Sequence, residues 1–227
     1  IFHEIVGAAR YGGPEFRDEL LAGTSDFTDA DYVASIQVVN DMTEYMVDDV
    51  IGVAYADSQI QFTAGTAAQF PGGSFELGNF TTQAPDMELG VYLVPTPPNS
   101  VSDKPLAAGW ADGSFAINAK GENQEAALDL LNWLATAEFG QLFVDEVKQF
   151  SAIKGLTYSD PVMKEMNELF ASGPTAYINL VDMRYGDPSG STLIGEGIQS
   201  MFLGDMNASG VSTKLQDGVA TWFTPGA

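Results

Sequence analysis

Residues 28–46, TDADYVASIQVVNDMTEYM, set apolar side chains at three- and four-residue spacing: Tyr32, Ile36, Val39, Met42 and Met46. A stretch with that period has to bury one helical face against another layer. Thr28 and Asp31 give it a capping-box-like start. A loop through Val53 and a short helix ending near Phe62 follow. The same period predicts a helix over 123–135, with Ala127, Leu130, Leu131 and Leu134 inward, and another over 137–149, with Phe139, Leu142 and Phe143 inward. Asp160-Pro161 opens a further helix, with proline at its first position. Residues 191–203 and 212–222 complete the helical set, with Ser212 as N-cap of the last. IFHEIVGAARYGG at the start also reads as helix. Short apolar runs lie between these segments. Ala67–Phe70, Leu89–Val94 and the alternating GSFAIN of 113–118 are expected as strands, the second stopped by Pro95, Pro97 and Pro98. Helices alternating with short strands predict an α/β architecture.

At 227 residues and 45% hydrophobic composition the chain can form a packed core, as one domain or two. Its 31 acidic and 9 basic residues give a net charge of −22, so phosphate backbones and anionic membranes should be repelled and nucleic-acid binding is excluded as a reading. The charge itself reads as a solvated acidic surface. There are no cysteines, which removes disulfides, zinc–thiolate sites and cysteine nucleophiles together. The single histidine, His3, confines any Ser-His-Asp triad to the N-terminus. No run reaches the ~18 apolar residues that a membrane helix needs.

Four clusters join an aromatic to polar neighbours. In Gly72-Gly73-Ser74-Phe75-Glu76 a tight glycine bend could present Phe75 to an apolar face and Glu76 to hydroxyl protons; the alternative is a turn whose Phe is core. In Gly109-Trp110-Ala111-Asp112-Gly113 a ring and a carboxylate two residues apart match the C–H faces and hydroxyls of a sugar, and a partly buried Trp is the alternative. Asp182-Met183-Arg184-Tyr185-Gly186-Asp187 sets one of few basic residues beside an aromatic, unless Arg184 pairs with Asp182 or Asp187. Tyr55-Ala56-Asp57 is the fourth. DMNASGVSTKLQ, 205–216, imitates an EF-hand loop but ends in Gln216 where a bidentate Glu belongs, and reads as a turn before a capped helix. No metal ligand set, phosphate-binding glycine loop or catalytic residue is indicated, and no cofactor is expected.

Taken in order, these stretches resemble the carbohydrate-binding extracellular solute-binding proteins of ABC transporters, the maltose-binding-protein-like family. FTAGTAAQFPGGSFELGNF is similar to the family's turn and Gly-x-aromatic bend, with Phe75 where Trp is more usual. GVYLVPTPP, GWADGSFAINAKGENQEAALDLLNWLATAEFGQLF and MFLGDMNASGVSTKLQDGVATW follow as the family's strand and proline loop, strand and paired helices, and closing helices. The resemblance implies a type II periplasmic-binding-protein-like fold. Residues 1–114 and 159–227 would belong to the C-terminal lobe and 115–158 to an excursion into the N-terminal lobe. The family's anchor region and first N-terminal-lobe elements would precede Ile1, so the chain is expected to be a fragment. It also implies a non-enzymatic protein, a monomer, that captures a sugar in an interdomain cleft. Tyr55, Phe75, Glu76, Trp110, Asp112, Arg184 and Tyr185 would contact the ligand, and permease subunits in the membrane would be the partners, in a periplasmic or extracellular setting. A glycan-acting enzyme using paired carboxylates drawn from Glu76, Asp112, Asp182 and Asp187 is the alternative.

Overall fold

Eleven helices and one short strand pair carry the chain in a computed structural model that describes residues 1–172 and 175–226. In order they are α1 (Phe2–Tyr11), α2 (Pro14–Ala22), α3 (Ala30–Asp41), α4 (Tyr55–Thr63), α5 (Leu77–Gln83), β1 (Ala108–Gly109), α6 (Gln124–Leu134), α7 (Ala137–Val147), α8 (Pro161–Leu169), β2 (Thr175–Ala176), α9 (Ile178–Val181), α10 (Gly190–Phe202) and α11 (Ala208–Val219). β1 and β2 are parallel, with Ala108 opposite Thr175 and Gly109 opposite Ala176. The chain forms two compact units, one of Ile1–Ser58, Leu93–Trp110 and Ser172–Ala227, the other of Gln59–Tyr92 and Ala111–Ala171. The excursion expected at 115–158 lies inside the second unit, together with 59–92. Among the described residues no helix is long and apolar enough to cross a membrane.

In the first unit α1 packs on α3, α3 on α11, and α11 on α10. The period read from the sequence operates here: Tyr32, Ser35, Ile36 and Val39 of α3 all face inward. They meet Phe27, Val211, Leu215 and Val219 in one core. Tyr32 is its hub, with ring centroids 5.0 Å from Phe16, 5.0 Å from Phe27 and 5.4 Å from Tyr11, separations at which aromatic pairs attract. Met42 and Met46 are only half-buried, because the chain tightens into a 3₁₀ turn over Met42–Tyr45 and leaves the stripe. Gly12 ends α1 at φ 94°, and a Cβ there would also stand 3.0 Å from Val101 Cγ1, so both conformation and space require glycine. Pro14 then opens α2.

The caps differ in detail from the sequence reading. Asp29, not Thr28, caps α3, accepting from Asp31 N, while Thr28 donates to Asp26 instead. Asn207 caps α11 by accepting from Gly210 N at 2.9 Å. Ser212 therefore lies within α11, not at its start; it is fully buried and donates to Phe27 O. Asp160 caps α8 as expected, accepting from Val162 N and Met163 N.

The second unit has a smaller core of Leu77, Val144, Met163 and Met166, bordered by Leu89, Val91, Phe150 and Leu156. Its helix faces depart from expectation. On α7 the buried residues are Gly140 and Val144, while Leu142 is exposed. The reason is close passage of the following chain: a Cβ on Gly140 would meet Ile153 and Leu156 at 3.1 Å. α6 has no fully buried residue, and Leu130, expected inward, is 54% exposed.

None of the three expected strands forms a ladder. Ala67–Phe70 follows Gly65 at φ 75° and runs into Pro71 as irregular chain. Leu89 and Val91 pack on the small core without a strand neighbour among the described residues. Residues 113–118 are irregular and mostly exposed, Phe115 included. Apolar alternation marks a chain that can pair; the ladder itself needs a second strand.

Candidate functional site

In the second unit the local sequence builds one feature from Phe70 to Leu77. Gly72 and Gly73 are needed there for room. A Cβ on Gly72 would sit 3.0 Å from both Glu76 Cγ and Phe70 Cδ1, and one on Gly73 only 2.6 Å from Phe75 Cε1. Two absent side chains thus let two rings close onto the backbone. Ser74–Glu76 forms a 3₁₀ turn leading into α5, and Glu76 N donates to Gly73 O at 3.0 Å. Phe150 N donates to Ser74 Oγ at 3.4 Å, which ties the bend to the chain after α7. Phe75 is 38% exposed and Glu76, the next residue, only 3%.

Behind the bend lies a partly open cavity of about 80 Å³, with Phe62, Phe70, Phe80, Leu89 and Val162 in its walls. The three phenylalanines pack on one another, centroids 4.8–5.7 Å apart. Glu76 is at its edge. Its Oε2 accepts from Gln59 Nε2 at 2.8 Å, and its Oε1 is buried without a hydrogen-bond partner. Burial holds the Glu76 carboxyl above the usual carboxylate range.

In the first unit the short ladder assembles a second aromatic pair. With Gly109 opposite Ala176, the next residues on each strand come side by side. Trp110, half-buried, meets buried Tyr177 edge-on, centroids 4.4 Å apart at 73°. Beneath is a buried polar network. Glu4 accepts from Tyr11 Oη and from Asn179 Nδ2, the latter at 3.3 Å, and Asn179 Nδ2 also donates to Tyr32 Oη at 3.0 Å. Burial pushes the Glu4 carboxyl up, against the pull of these donors; burial and then the Glu4 carboxylate raise the Tyr177 hydroxyl.

The other expected contacts lie on separate segments of the chain. Tyr55 is exposed at the first turn of α4, and Asp112 is exposed in the segment after Trp110. Arg184 and Tyr185 are exposed between α9 and α10, with the guanidinium carbon 6.0 Å from the Tyr185 centroid and Tyr185 itself 85% exposed. Asp182 is held by Arg17 through two hydrogen bonds of 2.7 Å. The same loop is anchored by Trp222, whose Nε1 donates to Pro188 O at 2.9 Å and whose ring lies on Gly186, where a Cβ would come within 1.9 Å.

His3 is buried in the first unit, with Nε2 2.8 Å from Ser35 Oγ. Ser35 gives its own proton to Tyr32 O at 2.6 Å, so the His3 ring is the donor of this pair. Burial pushes the His3 pKa down to about 3. Ser35 is fully buried, so this pair cannot present a nucleophile to a substrate. Gln216, at the last position of the EF-hand-like stretch, accepts from Phe27 N at 3.0 Å as part of the core. Among the described residues no group of three His, Asp or Glu side chains could hold a metal ion.

Sequence reasoning did not find Tyr177 or Gln59. Tyr177 reaches Trp110 through a ladder that spans the chain, and no local signal marks it. Phe62, Phe70 and Phe80 lie within one stretch of the sequence, but nothing in their spacing marks them as walls of one cavity.

Comparison with known proteins places the chain in a family. Residues 7–141, more than half of the chain, match the bacterial extracellular solute-binding proteins, and the chain belongs to that family. No curated protein matches it closely enough to count as a relative. Among solved structures it is similar to a chitin oligosaccharide binding protein, with TM-score 0.79 and 19% identity over 97% of this chain and 56% of the other. A sugar transporter protein from Bacillus licheniformis, solved in complex with stachyose, gives TM-score 0.68 and 16% identity over 95% and 56%. A protein from the thermophilic bacterium Caldanaerobius polysaccharolyticus, described in connection with xylan utilization, gives TM-score 0.73 and 18% identity over 95% and 59%. The chain thus has part of the type II periplasmic-binding-protein fold and spans a little over half the length of the structures it matches.

Proposed function

We propose that this chain is the solute-capturing component of an ABC importer, that its solute is a sugar or oligosaccharide, and that it acts by binding without catalysis. The observation that carries the reading is Phe75: a ring held by a glycine bend against its own backbone while more than a third of it stays open to solvent. Such a rigid apolar face suits the C–H face of a pyranose, and it loses little conformational freedom on binding. Trp110, buttressed by Tyr177, is the second platform. Tyr55, Asp112, Arg184 and Tyr185 supply an aromatic, an acceptor and donors for hydroxyl groups, with Glu76 behind the bend. Three solved structures of the same fold bear names or bound ligands connected with saccharides, which supports the class of solute.

On this reading the complete receptor closes on the ligand by hinge motion. The protein works as a monomer outside the cytoplasmic membrane, in the extracellular or periplasmic space, and delivers to permease subunits. Calorimetry of the full chain against a panel of mono- and oligosaccharides tests this. Saturable heat with one saccharide class is expected. No heat with any sugar, while another class of solute binds, overturns the carbohydrate assignment.

A further inference from the structure

The cavity behind the glycine bend is too small for a sugar ring. One buried water occupies roughly 10–15 Å³ of such space, so about 80 Å³ accepts an arm of a few non-hydrogen atoms. Its walls are apolar apart from one side-chain group. Phe62, Phe70, Phe80, Leu89 and Val162 offer carbon, and buried Glu76 offers one carboxyl oxygen that has no hydrogen-bond partner. A purely polar arm would waste the phenylalanine walls, and a purely apolar arm would leave that oxygen unpaired. An arm that fits carries one N–H or O–H donor and ends in a methyl group.

The cavity also adjoins the proposed sugar platform. Gly72 and Gly73 are part of its wall, and the Phe75 ring edge rests against Gly73. We propose that this cavity is a specificity subsite for the acetamido arm of an N-acetylated sugar stacked on Phe75. The arm's N–H donates to Glu76 Oε1, its methyl lies among Phe62, Phe70 and Phe80, and its carbonyl oxygen points to the cavity's open side, where water pairs it. Gln59 holds the other carboxyl oxygen and so fixes which one faces the arm. The inference rests on the carbohydrate reading and narrows it to amino sugars bearing an acetyl group.

Calorimetry of the full chain with N,N′-diacetylchitobiose and with cellobiose, which has the same linkage and hydroxyls in place of the acetamido arms, tests the subsite. The acetylated disaccharide is expected to bind at least about tenfold tighter, and the ratio to fall to about twofold in Glu76→Met, which keeps length but removes the acceptor. Val91→Phe, which fills the cavity from another wall, should lower the ratio in the same way. Melting temperature identifies the variants that remain folded, and the ratio is read on those. Equal affinity of wild type for the two sugars overturns the subsite and leaves the carbohydrate reading standing, as does a ratio that survives in either folded variant. No heat from these or any other saccharide overturns both.

Discussion

The two units differ in how much packing surrounds their buried polar groups. In the first, Glu4 is surrounded by Tyr11 and Asn179, His3 by Ser35, and Ser212 by Phe27 O, all inside a continuous aromatic and aliphatic core. In the second, the core is a handful of residues, α6 buries none of its side chains fully, and the one deeply buried carboxylate keeps an oxygen without a partner. His3 Nδ1 and Asn179 Oδ1 in the first unit also lack a hydrogen-bond partner, so the difference lies in the packing around the polar groups rather than in their pairing; apolar cavities edged by a single acceptor suit a ligand. The first unit reads as the more stable of the two, and the second gives up packing behind the Phe75 bend.

Paired truncations give the largest test of that contrast. Phe27→Ala, in the first core, should cost about 3–5 kcal/mol in denaturant unfolding, the range for a fully buried aromatic. Met163→Ala, the most buried side chain of the second core, should cost about 2 kcal/mol, the low end for its type, because its surroundings are partly open and can relax. Equal costs would remove the difference between the units.

A second test is offered by pH. His3, whose pKa is pushed by burial from 6.5 to about 3, stays neutral in the folded chain over a range where the unfolded chain binds a proton. Its contribution is therefore complete above pH 6.5 and falls as pH drops toward 3, by at most about 1.4 kcal/mol per pH unit. His3→Gln should flatten that part of the stability profile. Glu76 works with the opposite sign. Its carboxyl pKa is raised by burial, so as pH rises past 4.5 the unfolded chain releases its proton before the folded chain does, and its contribution declines from there. Glu76→Gln should raise stability at neutral pH relative to wild type and leave it little changed in acid. A wild-type advantage that grows with pH would contradict the burial described here.

The sequence disclosed helices better than it disclosed faces or strands. The α3 stripe was legible because it meets the full core, and Tyr32, Ile36 and Val39 lie where the period puts them. The α6 and α7 faces were misread because Leu130 and Leu142 have no apolar layer over them, while Gly140, silent in any apolar count, is where the chain packs closest. Strands at 89–94 and 113–118 failed for lack of a pairing neighbour, a non-local fact. Of the site, the Gly72–Glu76 bend was visible because glycines and an aromatic adjoin in sequence. The Trp110–Tyr177 pair was only half visible, since its second ring arrives through β2.

Phe75 offers the most direct measurement, because its proposed role is to stack its open face on a ligand. Phe75→Ala is to be compared with wild type in two readings on one sample: melting temperature, and affinity for the saccharide that gives the strongest heat. An affinity loss of about 1–3 kcal/mol is expected, as for anchor aromatics in binding sites, with a melting temperature close to wild type. Unchanged affinity together with a large fall in melting temperature would contradict that role, and would make Phe75 a packing residue of the second unit.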